Sequence, residues 1–159
     1  MDREDATLEV ERKFLIEEMP VDFALGRGVE ISQGYLATGD GAEVRLRRKG
    51  ARCFLTVKEG SGLARSEYEI SLDPEQFECL WMATAGRRVS KIRYEVPVGV
   101  VIAELDQYSG ELAGLMTVEV EFPSVAEASV FNPPEWFGRE LTEDPRYANR
   151  RLAVDGLAE

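Results

Sequence analysis

The chain has 159 residues, 44% of them hydrophobic and 31% charged, with a formal net charge of −11. A chain of this size buries its own core without disulfides or structural metals, and the composition excludes a disordered protein. No apolar run approaches the ~20 residues a membrane helix needs, and the acidic balance argues against nucleic acid as a partner.

Acids stand at the N-terminus, "MDREDATLEV", where an export signal has a basic segment and an apolar run, so a cytoplasmic location is expected. Strands are then expected near 8–16, 30–37, 42–49, 52–58 and 65–72, each with apolar residues on one parity. Turn signals separate them, "TGDG" at 38–41 and "EGSG" at 59–62. A helix follows in "DPEQFECLWMATAGR": Asp73 is its N-cap, Pro74 takes the first position, Gln76 completes a capping box, and Phe77, Leu80, Trp81 and Thr84 share a face. Further strands are expected near 90–97, 100–107 and 115–122, divided by "VPVG" at 96–99 and "YSGELAG" at 108–114. Ser124 and Glu127 repeat the capping-box spacing, and Asn132-Pro133-Pro134 introduces a short helix carrying Trp136 and Phe137. The tail adds a helical turn. With no internal repeat or linker, a single domain spanning 1–159 is expected.

Several residue types are informative by scarcity. Cys53 and Cys79 lack the close spacing of a metal or redox motif and read as free, buried thiols. Histidine is absent, which removes a Ser-His-Asp triad, a Cys-His pair and any imidazole metal site. A metal would be held by carboxylates, favouring Mg²⁺ or Mn²⁺ over softer ions.

The remaining parity of these strands is charged. In "LEVERKFLI", Glu9, Glu11 and Lys13 oppose Leu8, Val10, Phe14 and Ile16. Glu43, Arg45 and Arg47, Lys58, Arg65, Glu67 and Glu69, Lys91, Arg93 and Glu95, Glu104 and Asp106, and Glu119 and Glu121 continue the pattern. A single strand of this kind is ordinarily a wet sheet face. Six of them, built from carboxylates and cations where solvated strands favour Thr, Ser and Lys, point to a shared interior. Like charges at alternate positions, such as Arg45 with Arg47, repel unless a counter-charge lies close by. An antiparallel sheet of about eight strands closes on itself with alternate residues inside. The result is a polar tunnel whose cations suit a polyanion and whose paired carboxylates suit divalent cations. Neither "GxGxxG" nor "GxxxxGK[ST]" occurs, which disfavours a Rossmann or P-loop nucleotide enzyme.

"EVERK" resembles the ExExK signature of the CYTH superfamily, the triphosphate tunnel metalloenzymes. The ordered set "QGYL", "EVRLRRKG", "LTVKEG", "RSEYEI", "KIRYEV", "AELDQY" and "VEVEF" is similar as well, and the tail "LTEDPRYANRRLA" resembles the end of the short bacterial members. This resemblance implies a mainly β protein, an eight-stranded antiparallel closed barrel with a few flanking helices, and metal-dependent chemistry on triphosphates. It implies that Glu9, Glu11, Glu67, Glu69, Glu119 and Glu121, with Asp106 and Glu104, supply a carboxylate shell for Mg²⁺ or Mn²⁺. It assigns Lys13, Arg45, Arg47, Lys58, Arg65, Lys91 and Arg93 to phosphate oxygens, and pairs Lys13 with Tyr35 as a catalytic dyad, with Glu11 in the catalytic shell.

The expected function is hydrolysis of inorganic tripolyphosphate. The alternatives are an organic triphosphate hydrolase, acting on thiamine triphosphate or a nucleoside triphosphate, and a class IV adenylate cyclase. Recognition of a base or thiamine calls for an aromatic platform at the tunnel mouth, whereas Trp81 and Trp136 fall on expected helices as core residues. A non-catalytic polyphosphate-binding module would not need so many paired carboxylates. An apolar barrel exterior with few helices also makes a homodimer an expectation.

Overall fold

The computed structural model describes residues 7–19, 25–39, 42–60 and 64–157. The expected turn positions 40–41 and 61–62, the acidic residues 1–6 and the side chain of Leu8 lie outside the described residues. Eight antiparallel strands form the fold: β1 (Thr7–Leu15), β2 (Val29–Gly39), β3 (Ala42–Lys49), β4 (Arg52–Glu59), β5 (Ala64–Leu72), β6 (Arg88–Val98), β7 (Val101–Tyr108) and β8 (Met116–Phe122). They close in the order β1-β5-β4-β3-β2-β6-β7-β8, so β1 joins two meanders by pairing with β5 at its start and β8 along most of its length. Every strand lies within two residues of its expected span.

Strand parity separates two environments. Val10, Phe14, Leu105, Val118 and Val120 point outward into an apolar cluster, each no more than 2% exposed. That cluster is covered by α2 (Val125–Val130) and by Phe131, Trp136 and Phe137. Across the barrel, α1 (Pro74–Trp81) carries the expected capping box at Asp73 and lays Phe77 over Leu46 and Cys53. It is shorter than its apolar pattern, since a 3-10 turn at Met82–Thr84 leads into Gly86, whose φ of +80° suits a residue without a Cβ. Cys53 is buried beneath Phe77, but Cys79 is exposed on the outer side of α1, contrary to expectation; both thiols are free.

The expected helix carrying Trp136 and Phe137 does not form. β1 loses β5 as a partner after Val10, leaving the hydrogen-bonding edge of its second half open. The chain after the two prolines fills that edge: Leu15 N donates to Arg139 O at 2.8 Å, Gly138 N to Leu15 O at 2.7 Å and Leu141 N to Lys13 O at 2.7 Å. Backbone pairing over three residues outweighs a local capping signal. A Cβ on Gly138 would stand 2.5 Å from Leu15 O, so the approach requires glycine.

Beyond this strap come a 3-10 turn at Pro145–Tyr147 and α3 (Asn149–Asp155). Leu152 inserts among Val89, Tyr108, Leu112 and Leu115, closing the barrel end formed by the start of β6 and the end of β7. No helix among the described residues is long and apolar enough to cross a membrane.

Candidate active site

The charged parity faces inward and surrounds a cavity of about 360 Å³. On its acidic side, β1 and β8 run in register with Glu11 opposite Glu121 and Lys13 opposite Glu119. Carboxylate oxygens of Glu9, Glu11 and Glu121 lie within 4.8 Å of one another, a spacing that could hold a metal ion. Two of the three have cationic neighbours: Lys58 Nζ lies 2.8 Å from Glu9, and Arg65 Nη2 lies 2.8 Å from Glu11. These do not neutralise the group. Burial, with Glu119 and Glu9 adding to it, pushes the Glu11 carboxyl up to about 7 against the pull of Lys58 and Arg65. Burial and the charges of Glu104, Glu9 and Glu11 raise Glu121 to about 7 as well. Glu119 behaves oppositely: burial would raise it, but Lys13, Arg93, Lys91 and Lys58 outweigh that and hold it far below the usual carboxylate range.

The opposite side is basic. Arg45 and Arg47 sit on alternate residues of β3, with Arg45 opposite Tyr35 and Arg47 opposite Gln33 of β2. Among the described residues neither guanidinium has an ion-pair partner, although Arg45 is 4% exposed and its Nε has no hydrogen-bond acceptor. Burial, followed by repulsion from Arg45 and Arg93, lowers Arg47 to about 10. Gln33 ties this wall together: its Oε1 accepts from Arg47 Nε at 3.2 Å and its Nε2 donates to Tyr35 Oη at 3.0 Å. Burial and the Glu43 charge push the Tyr35 phenol well above its ordinary range, so it keeps its proton.

Most residues expected in the site line this one cavity: Glu9, Glu11, Lys13, Tyr35, Arg45, Arg47, Lys58, Arg65, Glu67, Arg93, Glu119 and Glu121. Three do not. Glu69 accepts from the Thr56 hydroxyl at 2.8 Å and borders a second opening. Lys91 and Asp106 form a fully buried pair at 2.8 Å behind the wall. Asp106 also takes both of its oxygens to Arg93, at 2.7 Å from Nε and 2.8 Å from Nη2, while Arg93 Nη1 reaches Glu104 at 2.7 Å. One carboxylate thus serves two buried cations. Burial would raise Asp106, but the Lys91 charge and then the bidentate Arg93 guanidinium outweigh it and hold Asp106 below its usual range, whereas burial draws the Lys91 ammonium, left with a shared counter-charge, down to about 7. Its oxygens are already committed, so Asp106 orients Arg93.

The strap and α3 bring residues that strand parity could not reveal. Leu141, Thr142, Asp144, Asn149 and Arg150 line the cavity, as does Glu43, which the charged parity puts on the inner face but to which no role was assigned. Lys13 Nζ donates to the Tyr147 carbonyl at 2.7 Å and lies 3.5 Å from Glu119, and Lys13 N donates to Thr142 Oγ1 at 3.0 Å. The signal for this region was the tail resemblance alone, because an irregular segment carries no period.

Comparison with known proteins agrees with this geometry. The family model described as CYTH domain matches residues 7–148. An inorganic triphosphatase of Nitrosomonas europaea is 52% identical over 149 residues, covering 92% of this chain and 97% of its own length. An inorganic triphosphatase of Acetivibrio thermocellus is 36% identical over 146 residues, covering 91% of this chain and 92% of its own. The crystal structure of the inorganic triphosphatase NE1496 aligns with a TM-score of 0.69 at 49% identity, covering 92% of this chain and 94% of that one.

Proposed function

The chain belongs to the CYTH family, and from that premise we propose that it is an inorganic triphosphatase, hydrolysing tripolyphosphate to pyrophosphate and phosphate inside its tunnel. One observation carries the reading: a single cavity of about 360 Å³ holds Arg45 and Arg47, which have no ion-pair partner among the described residues, together with the clustered carboxylates of Glu9, Glu11 and Glu121. The first pair needs an anion and the second set a cation. A metal-bound phosphate chain satisfies both.

The donor set fits the cation. Three carboxylates and no nitrogen or sulfur suit a hard divalent ion, Mg²⁺ or Mn²⁺, and the raised affinity of Glu11 and Glu121 for protons, caused by burial and neighbouring acids, leaves room for a positive charge there. Such an ion supplies Lewis acidity toward phosphate oxygens and lowers the pKa of a water it carries. The chain's own residues do the remainder. Arg45, Arg47 and Arg93 bind phosphate oxygens, and preoriented charges stabilise the transition state of water attack on the terminal phosphorus without reorganising. Gln33 and Tyr35 hold Arg47 in line, with Tyr35 as a protonated orienting group. Lys13, fixed by the Tyr147 carbonyl and Glu119, places its ammonium at the closed end, where it neutralises charge on the phosphate chain.

An inorganic substrate accords with where the large aromatic residues lie. Trp81 stacks on Phe77 at 5.1 Å and Trp136 meets Phe137 edge-on at 4.5 Å, both outside the barrel. The test is phosphate release from tripolyphosphate, ATP and thiamine triphosphate with Mg²⁺, Mn²⁺ or EDTA. Turnover of tripolyphosphate well above the two organic substrates, lost in EDTA, is expected; inactivity on all three would overturn the hydrolase reading, and preference for ATP or thiamine triphosphate would overturn the inorganic one.

A further inference from the structure

A hydrogen-bonded pair in an antiparallel ladder exchanges two backbone bonds, each residue donating to the other. The register of β2 and β6, from Val29 opposite Arg93 to Gly34 opposite Arg88, makes Tyr35 and Arg87 the next such pair. Only half of it forms. Tyr35 N donates to Arg87 O at 2.9 Å, but Arg87 N turns back to Thr84 O at 2.9 Å and leaves the Tyr35 carbonyl without its ladder partner. A buried carbonyl needs a donor. Arg87 supplies one from its side chain: Nε reaches Tyr35 O at 2.9 Å, while Nη2 donates to Ala83 O at 2.7 Å. One guanidinium thus ties the Tyr35 backbone to the 3-10 turn after α1. The turn lies this close because residue 34 is glycine; a Cβ there would stand 2.5 Å from Thr84 Oγ1.

On its other side, Tyr35 is where β2 slips against β3. It stands opposite Arg45, yet the next pair is Ala37 with Val44, so Leu36 is an extra residue. A bulge of this kind disrupts the ladder locally and re-aims the side chain beside it, so the place of that side chain depends on what else holds the backbone. Here the side chain is the Tyr35 phenol, fully buried, with its hydroxyl 3.0 Å from Gln33 Nε2; Gln33 Oε1 in turn lies 3.2 Å from Arg47 Nε. A shift of the Tyr35 backbone passes along that chain to a guanidinium of the cavity. We propose that Arg87, which does not border the cavity, is a positioning residue: by completing the interrupted pair at the bulge it sets the place of the Tyr35 phenol and, through Gln33, the aim of Arg47. Arg88 provides the contrast. Its Nη2 donates to Trp81 O at 2.8 Å, its Nε to Thr84 Oγ1 at 2.9 Å, and its guanidinium lies 4.5 Å from the Trp81 ring centre. It anchors the same helix end, but among the described residues it makes no bond to Tyr35.

Two measurements on the protein in EDTA test this. Isotope-labelled tyrosine observed by NMR at Cζ gives a signal for each of the five tyrosines, and that of Tyr35 is identified by its loss in Tyr35→Phe. Arg87→Met should move the Tyr35 signal, whereas Arg88→Met should leave it in place. Titration calorimetry with sodium tripolyphosphate should show about three- to tenfold weaker binding in Arg87→Met, the range for one weakened hydrogen bond, and binding within about twofold of the parent in Arg88→Met. In a Tyr35→Phe background, Arg87→Met should add less than about twofold, because both changes act through one hydroxyl. A Tyr35 signal unmoved or an affinity unchanged in Arg87→Met, an equal effect of Arg88→Met, or losses that add in full overturn the proposal. Where circular dichroism shows that Arg87→Met does not fold, Arg87→Lys, which can reach one of the two carbonyls, is compared with Arg88→Lys by the same criteria. The affinity expectation rests on the triphosphatase reading and the NMR signal does not. Tripolyphosphate that the parent neither binds nor hydrolyses strikes that reading, and a Tyr35 shift confined to the Arg87 variants stands without it.

Discussion

Glu11 and Asp106 show how two carboxylates on charged strand faces come to different tasks. Glu11 faces the cavity with oxygens close to those of Glu9 and Glu121. Asp106 is fully buried and spends both oxygens on Arg93 and one on Lys91. Parity alone treats them as equals, because alternation assigns a face but not a depth or a partner. Substitution separates them. Glu11→Gln keeps the side-chain shape and should lower kcat by roughly a hundredfold or more, with weaker metal dependence and an unchanged fold. Asp106→Asn leaves two buried cations short of a counter-charge and should cost about 3–5 kcal/mol of stability. Surviving enzyme should show a raised KM, from a misaligned Arg93, with the metal concentration dependence of the parent. Steady-state kinetics against metal concentration, with thermal melts, distinguishes them; a shifted metal dependence in Asp106→Asn would return that residue to the metal shell.

At the level of elements, the strands were legible because their period of two is enforced twice, by apolar packing outside and by charge inside. α1 was legible from its cap, but its end was not, since Thr84 shares the helical face of Phe77 while serving a 3-10 turn. The strap was misread because the Asn132-Pro133-Pro134 start signal reports local preference, and the open edge of β1 is a tertiary fact. The same segment carries most of the site that parity missed, so the two failures have one cause. α3 holds the strap in place through Leu152, which is 2% exposed. Leu152→Ala should cost about 2–5 kcal/mol as a core truncation. It should also release the Tyr147 carbonyl from Lys13 Nζ, raising KM in enzyme assayed well below its melting temperature. Destabilisation with unchanged KM would show that the plug does not set the position of Lys13.

For the molecule as a whole, the tunnel makes stability depend on pH in opposite directions on either side of neutrality. Glu11 and Glu121 are held up to about 7, whereas glutamate in an unfolded chain titrates near 4.3. Between those values the folded chain binds more protons, so raising the pH through that window favours unfolding. Lys91 is drawn down to about 7, whereas unfolded lysine titrates near 10.4. Between those values the unfolded chain binds more protons, so raising the pH further favours the fold. Metal-free protein should therefore pass through a stability minimum near pH 7. Glu121 is exposed and screened by water, which leaves Glu11 and Lys91 to set its depth. Saturating Mg²⁺ competes with protons at Glu9, Glu11 and Glu121, so it should flatten the acidic limb and spare the alkaline one. Lys91→Met should weaken the alkaline limb and spare the acidic one, the remainder being carried by Lys58, whose ammonium burial also draws down. Melting temperatures between pH 5 and 9 in EDTA and in Mg²⁺ measure both limbs, and a monotonic profile in EDTA would show that the buried cation and the crowded carboxylates do not carry the opposing proton balances assigned to them.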